Sequence, residues 1–183
     1  MNTVPNQIRF ITCCFFFFLV ISCQNKQRVY LSELQTTKGI TYFSQLPFSG
    51  IGYEKYDNKN DRKVVYYSNG KKHGKDISWY PDGQVKNTGL LNNGKKVGIH
   101  MGFWPNGEIR FEKNYSNEGL YHGKQKQWHL NGVLARVSNY ELGKEKGYQK
   151  GWRNNGDLRY NYQIIKNKRY GFLGSKICVP AGI

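Results

Sequence analysis

The chain has 183 residues and carries 28 lysines and arginines against 12 acids, a formal net charge of +16 at pH 7. That length bounds it to one domain once any leader is removed, and the charge predicts attraction to polyanions: phospholipid head groups, anionic glycans, acidic proteins or nucleic acid. Four cysteines, three of them within the first 23 residues, exclude a disulfide-stapled scaffold.

In chain order, residues 1–22 read as a signal peptide. They hold one cation, Arg9, ahead of an apolar run from Phe10 to Ile21 that includes Phe15 to Phe18. A membrane span needs about 20 apolar residues, so this run suits the apolar region of a secretory signal instead. It ends Val20-Ile21-Ser22-Cys23, which resembles a bacterial lipobox. The resemblance implies cleavage before Cys23, lipidation of its sulfur and acylation of the new terminus, which together give stable anchoring. Cys13 and Cys14 leave with the signal, and Cys178 remains as a small packed hydrophobe. Export argues against a nucleic-acid partner. Acidic residues after the lipidated cysteine direct lipoproteins to the outer surface in some bacteria. They are absent from Gln24-Asn25-Lys26-Gln27-Arg28, so the expected location is the bacterial cell envelope, membrane-anchored and periplasm-facing. Residues 23–37 read as a lipidated tether and entry segment.

From there the chain repeats. Gly50, Gly74, Gly98, Gly123, Gly147 and Gly171 recur every 24 residues, with one gap of 25. A period in this range marks stacked copies of a supersecondary unit too small to bury a core alone. Five positions after the marker stand Trp79, Phe103, Trp128 and Trp152. Nine after it stand Gly83, Gly107, Gly132 and Gly156, each preceded by Asp or Asn. Eleven after it stand Val85, Ile109, Leu134 and Leu158. Asp-Gly and Asn-Gly between alternating segments are hairpin signals, so Lys75–Tyr80 is read as one strand and Gln84 to Leu91 as the next, with Asn92-Asn93-Gly94 turning the chain again. The extra residue of the 25-residue unit lies around Asn117–Glu118, within a turn, where it leaves strand alternation intact. The expected fold is all-β: a single-layer antiparallel meander of repeated β-hairpins, with 175–183 as a C-terminal cap or tail.

Alternation assigns the two faces. Ile77/Trp79, Met101/Phe103, Lys126/Trp128 and Lys150/Trp152 predict a face richer in apolar groups. Asp76/Ser78, His100/Gly102, Gln125/Gln127 and Gln149/Gly151 predict a small, polar opposite face. Twelve residues after the marker come Arg62, Lys86, Arg110 and Arg159, with Ala135 in the remaining unit. They form a candidate basic ladder, opposite the apolar face, for an extended acidic partner. Tyr80, Trp104, His129 and Arg153, next to the structural Trp series, vary in type and complete the candidate partner-binding set. No metal-ligand, nucleophile or P-loop spacing occurs among the histidines, cysteines and acids, so the chain reads as a non-enzyme with no cofactor and no metal.

The segments Lys38-Gly39-Ile40-Thr41-Tyr42-Phe43, Pro47-Phe48-Ser49-Gly50, Tyr66-Tyr67-Ser68-Asn69-Gly70-Lys71-Lys72-His73-Gly74 and Trp79-Tyr80-Pro81-Asp82-Gly83-Gln84-Val85-Lys86 together resemble the bacterial MORN-variant repeat, in particular the YwqK-family antitoxin components. The resemblance covers residues 38–174 and implies an open, curved, single-layer antiparallel meander of repeated β-hairpins and a non-catalytic binding role, such as neutralising a toxin or effector. The expected function is therefore a membrane-anchored repeat lipoprotein that binds a protein partner along its repeat face, with an antitoxin-, immunity- or scaffold-like role. The alternative is an envelope binder of anionic lipid head groups or glycans through the basic ladder.

Overall fold

The computed structural model describes residues 26–174; the signal segment, Cys23, Cys178 and the tail 175–183 lie outside the described residues. In chain order the strands are β1 (Arg28–Tyr30), β2 (Gln35–Thr37), β3 (Ile40–Phe43), β4 (Leu46–Pro47), β5 (Gly50–Lys55), β6 (Asp61–Ser68), β7 (Lys71–Trp79), β8 (Val85–Asn92), β9 (Lys95–Phe103), β10 (Ile109–Tyr115), β11 (Gly123–Trp128), β12 (Leu134–Glu141), β13 (Lys144–Trp152), β14 (Leu158–Ile165) and β15 (Lys168–Phe172). Strands β5 to β15 pair in sequence order as an antiparallel meander, and β1 adds in parallel to β5, giving an open twelve-stranded sheet. A separate three-stranded sheet, β2-β3-β4, sits at the N-terminal end.

Two kinds of turn alternate along the meander. Short turns are built on Asn69-Gly70, Asn93-Gly94, Leu142-Gly143 and Lys166-Asn167, each with positive φ at both central residues. This is the mirror-image turn that matches strand twist, and it favours Asn and Gly. The other turn closes with paired backbone bonds, such as Tyr80 N–H to the Gln84 carbonyl and Gly83 N–H to the Tyr80 carbonyl. In it the Asp82, Asn106, Asn131 or Asn155 side chain accepts from the N–H two residues on, the local bond that makes Asx residues turn formers. The 25-residue unit carries its extra residue between β10 and β11, where Ser116–Leu120 adopts this longer turn in place of the short one.

The marker glycines do not precede a strand; they lie within one or open it. Strand β7 begins at Lys71 rather than Lys75 and runs through Gly74, which has φ +97°. Val65 faces Asp76 but Tyr67 faces Lys72, so β7 carries two more residues than its partner at this point. The same step recurs at Gly98 and Gly147. At these three markers the 24-residue signal is thus a repeated β-bulge, and the glycine supplies the left-handed φ that a bulge of this kind needs. A second, one-residue bulge falls on Arg62, Lys86, Arg110, Ala135 and Arg159.

The segment read as a tether and entry is folded from Arg28 onward, and residues 38–47 build the small sheet rather than a repeat hairpin. Together they cover one face of the first units. Val29, Phe48, Val65, Tyr67 and Leu91 form a buried core there, with Leu31, Leu34 and Phe43 packed against it. This patch is the cap of the array. Among the described residues no helix is long and apolar enough to cross a membrane.

Candidate functional site

Register separates the sheet into two faces. One carries Lys63, Val65, Asp76, Ser78, Asn87, His100, Gly102, Phe111, Lys113, Tyr115, Gln125, Arg136, Ser138, Tyr140, Gln149, Tyr160 and Tyr162, which stand opposite one another from strand to strand. The other carries Ile77, Trp79, Leu90, Ile99, Met101, Lys126, Val137, Tyr148, Lys150 and their partners. The sequence pattern sorts the residues into the two sets that the register shows, but the face expected to be small and polar also carries Val65, Phe111 and a row of tyrosines, and burial is the reverse of a simple apolar-in reading. On the polar face Gln149 is 0% exposed and Ser138 1%, with Gln125 and His100 also buried. On the apolar face Val85, Leu90, Ile99, Ile109, Tyr148, Leu158, Tyr170 and Phe172 are all exposed, Ile99 to 55% and Tyr148 to 57%.

The buried polar groups hold the bulges. Gln125 Nε2 donates to the Asn114 carbonyl at 2.9 Å while its Oε1 accepts from the Asn114 N–H at 2.9 Å. Gln149 Nε2 donates to the Asn139 and Lys146 carbonyls. His100 occupies the equivalent position, with Nε2 2.8 Å from the Leu90 carbonyl; a neutral ring protonated on Nε2 donates this bond. Burial lowers the His100 pKa, outweighing the opposing bond to Leu90. Each clamp ties the residue two after the marker across the disrupted ladder, satisfying backbone groups that a bulge would leave open. Sequence reasoning missed this role. Its signal was the run His100, Gln125, Gln149, all able to donate from a side-chain nitrogen.

Glycines on this face make room for rings. A Cβ at Gly102 would fall on Phe111, one at Gly151 on Tyr160, and one at Gly89 on His100. His100, Tyr115, Tyr121 and Tyr140 continue as a stack with centroid spacings of 4.9, 5.0 and 5.2 Å. Burial, with a hydrogen bond to Tyr121, pushes the Tyr115 hydroxyl well above its ordinary value. Burial would also raise Tyr121, but hydrogen bonding by Tyr115 and Lys113 outweighs it and lowers that hydroxyl.

The eight residues expected to bind a partner lie along one edge, at the one-residue bulges and the longer turns. Arg62, Lys86 and Arg110 sit over the rings of Tyr56, Tyr80 and Trp104 at 5.7, 5.3 and 5.6 Å. Those rings staple one unit to the next: Tyr56 and Tyr80 donate to the Trp79 and Phe103 carbonyls, each at 2.9 Å, and His129 Nε2 lies 3.0 Å from the Trp152 carbonyl. Trp104 Nε1 is buried with no partner among the described residues. Arg62 pairs with Glu54 at 3.0 Å and Arg110 donates to Asn87 Oδ1 at 2.9 Å. Arg153 and Arg159 make no such side-chain bond among the described residues. Of the eight, Tyr80, Arg110 and His129 thus bond from one unit to the next, while Arg62, Lys86 and Trp104 make their contacts within one hairpin. The Trp79, Phe103, Trp128 and Trp152 series faces Val85, Ile109, Leu134 and Leu158 across each hairpin, as cross-strand pairs that stabilise sheets.

An open depression of about 700 Å³ lies between β11 and β13 on the apolar face, over Lys124, Val137, Asn139, Tyr148, Lys150 and Trp152. Among the described residues no group of His, Cys, Asp and Glu has metal-holding geometry.

No family model matches the sequence, and no curated protein matches it. A solved structure of a TarM mutant from S. aureus, in complex with Fondaparinux, alpha-GlcNAc-glycerol and UDP, is 13% identical to this chain. The match covers 67% of this chain and 21% of that one, with a TM-score of 0.33. This chain spans about a fifth of that protein's length, and a likeness this low bears on neither fold nor function.

Proposed function

We propose that the chain is a non-catalytic, membrane-anchored repeat lipoprotein that binds a protein partner along its repeat face, in an antitoxin-, immunity- or scaffold-like role. The carrying observation is the row of exposed apolar side chains, Leu90, Ile99, Tyr148, Leu158, Tyr170 and Phe172, all on one face of an open sheet. Lys75, Lys124 and Lys150 stand on the same face. Exposed apolar side chains set among cations, with Asn114 and Lys124 between Ile99 and Tyr148 on this face, suit a protein-interaction site, and the cations favour an acidic partner. Anchoring through Cys23 rests on the sequence Val20-Ile21-Ser22-Cys23.

A photo-crosslinking residue placed at Ile99 or Tyr148 in cells is expected to give a protein adduct, and one at Gln127 on the opposite face is not. Adducts of lipid or glycan alone, or equal protein adducts from both faces, overturn the reading. Binding through the cations to anionic lipid or glycan is the competing reading, and salt separates the two. Electrostatic binding collapses as ionic strength rises beyond physiological, whereas a packed apolar interface persists. Anchoring is checked separately: Cys23→Ala abolishes palmitate labelling and globomycin-sensitive processing, and retained label removes the lipoprotein assignment.

A further inference from the structure

The polar face holds a hollow of about 270 Å³ over β6 to β10, lined among others by Lys63, Lys96, Lys113, Asp76, Asn87 and Phe111. Ser78, His100 and Tyr115 also face it. Three ammonium groups meet one carboxylate here, and none of the three lysines forms an ion pair among the described residues. In the later units, by contrast, Arg136 and Arg169 are both ion-paired, sharing Glu145 at 3.3 and 3.2 Å. His100 is held toward its neutral form by burial, which lowers its pKa despite the opposing bond to the Leu90 carbonyl.

The remaining lining suits a hydroxylated ring. Asn87 and Ser78 are bonded to each other at 3.0 Å and stay half-buried at the floor, while Asp76 offers a carboxylate acceptor. The Phe111 ring lies in the gap left by Gly102 and gives an apolar wall, with Lys113 4.8 Å from its centroid. Lys96 likewise stands 5.6 Å from the Tyr115 ring. These lysines are therefore held beside aromatic surfaces rather than ranging through solvent.

We propose that this hollow binds a phosphate monoester of a sugar or polyol, with Lys63, Lys96 and Lys113 around the dianion and Asp76, Asn87 and Phe111 against the hydroxylated ring. The local excess of positive charge, to which Arg110 adds through its bond to Asn87, suits a phosphate monoester, which carries about −1.5 to −2 at pH 7. The volume sits just below the range of about 300–1,000 Å³ usual for small-molecule pockets, which fits one ring and excludes a longer chain. The three lysines are distinct from the edge cations and from the exposed apolar face, so their substitution tests this site apart from the partner-binding proposal.

The test is calorimetric titration of the full-length protein in neutral detergent with glucose 6-phosphate, glucose and inorganic phosphate. Saturable binding of glucose 6-phosphate is expected, weaker for phosphate and absent for glucose. Charge-assisted hydrogen bonds of this kind contribute enough that each lysine removed should weaken binding by about tenfold. Lys96→Ala, at an exposed position, is the variant least able to disturb folding, and Lys113→Ala the second. Lys124→Ala and Lys150→Ala, on the opposite face, should leave affinity unchanged. Equal losses in both pairs, no saturable binding, or equal affinity for glucose each overturn the proposal. Vesicles containing phosphatidylinositol phosphate distinguish the source of the group: competition by glucose 6-phosphate identifies a head group in the same hollow. Vesicle binding that ignores both the competitor and Lys96→Ala, without calorimetric binding, refutes it.

Discussion

Replacing Gly102 by alanine tests whether glycines on the polar face exist to admit neighbouring rings. Gly102 lies in β9 without a positive φ, so its backbone accepts an L residue, and an alanine in a strand would ordinarily gain about 0.5–1 kcal/mol over glycine. Against this, a Cβ at that position would lie 2.6 Å from Phe111 Cζ and 2.7 Å from Cδ1. Carbon atoms rest at about 3.5–4.0 Å, so the ring must move by roughly 1 Å. It is not free to do so, since the Arg110 guanidinium stands 5.2 Å from its centroid and Lys113 4.8 Å. Overpacking of this size costs about 1–3 kcal/mol, and the net effect of Gly102→Ala is a loss of about 1–2 kcal/mol. At about 2–4 °C per kcal/mol for a domain of this size, the melting temperature should fall by about 2–8 °C. Denaturant titrations of Gly102→Ala, Phe111→Val and the double variant complete the measurement. Once the ring is gone the alanine should show its ordinary gain of about 0.5–1 kcal/mol, so the cycle should show a coupling of about 1.5–3 kcal/mol. A Gly102→Ala protein as stable as its parent, or single effects that add within about 0.5 kcal/mol, would refute the reasoning.

Turn chemistry gives the opposite sign. Leu142 holds φ +45° in a short turn whose counterparts are Asn69 and Asn93, and Leu142→Asn should stabilise by about 0.5–1 kcal/mol in thermal or urea unfolding. Lys59, at φ +69°, stands where later units have glycine, and Lys59→Gly should act in the same direction by up to about the same amount. Tyr80→Phe removes the bond to the Phe103 carbonyl and should cost about 0.5–1.5 kcal/mol; an unchanged denaturation midpoint would deny the staple its role. His100 gives a pH signature. Its folded pKa is lowered, chiefly by burial, so its contribution is present above the unfolded value near 6.5 and is lost as pH falls toward and through the lowered folded value. His100→Gln installs the side chain found at 125 and 149, and should retain the bond to Leu90 while flattening the stability profile as pH falls below about 6.5. An identical pH slope in both proteins would remove His100 as its source.

The repeat, the hairpins and the location of the extra residue were legible because they are local: an Asn-Gly pair or an apolar residue at a fixed offset states its geometry within a few positions. The bulge at Gly74, Gly98 and Gly147 was not, since a bulge is defined by how many residues the partner strand contributes opposite it. Burial failed for a related reason. In a sheet with no second layer over most of its length, polar side chains screen one another when they clamp backbone, as Gln125 and Gln149 do, and hydropathy carries no trace of that. Arg28–Pro47 has no internal repeat, and its parallel pairing with β5 joins residues too far apart for pattern to register. The edge residues were located correctly as a series, but series membership could not say that Tyr80 and His129 spend their polar atoms on the next unit.

This division of labour decides how charge on the array can be probed. Reversing Arg62, Lys86 and Arg110 would remove a salt bridge to Glu54, a bond to Asn87 and three cation–ring contacts. A loss of binding would then follow from loosened stacking as readily as from lost attraction. Arg153 and Arg159 lack those bonds among the described residues, and Lys124 and Lys150 stand on the exposed face, so their reversal changes the field while sparing the seams. If binding of a protein partner is governed by the apolar face, reversal at Lys124 and Lys150 should mainly slow association and sharpen its salt dependence. Ile99→Asp should instead speed dissociation by removing buried contact area. The two kinetic signatures separate steering from packing, and the array offers both because its stacking bonds lie at its edge and its polar face rather than on the surface it exposes.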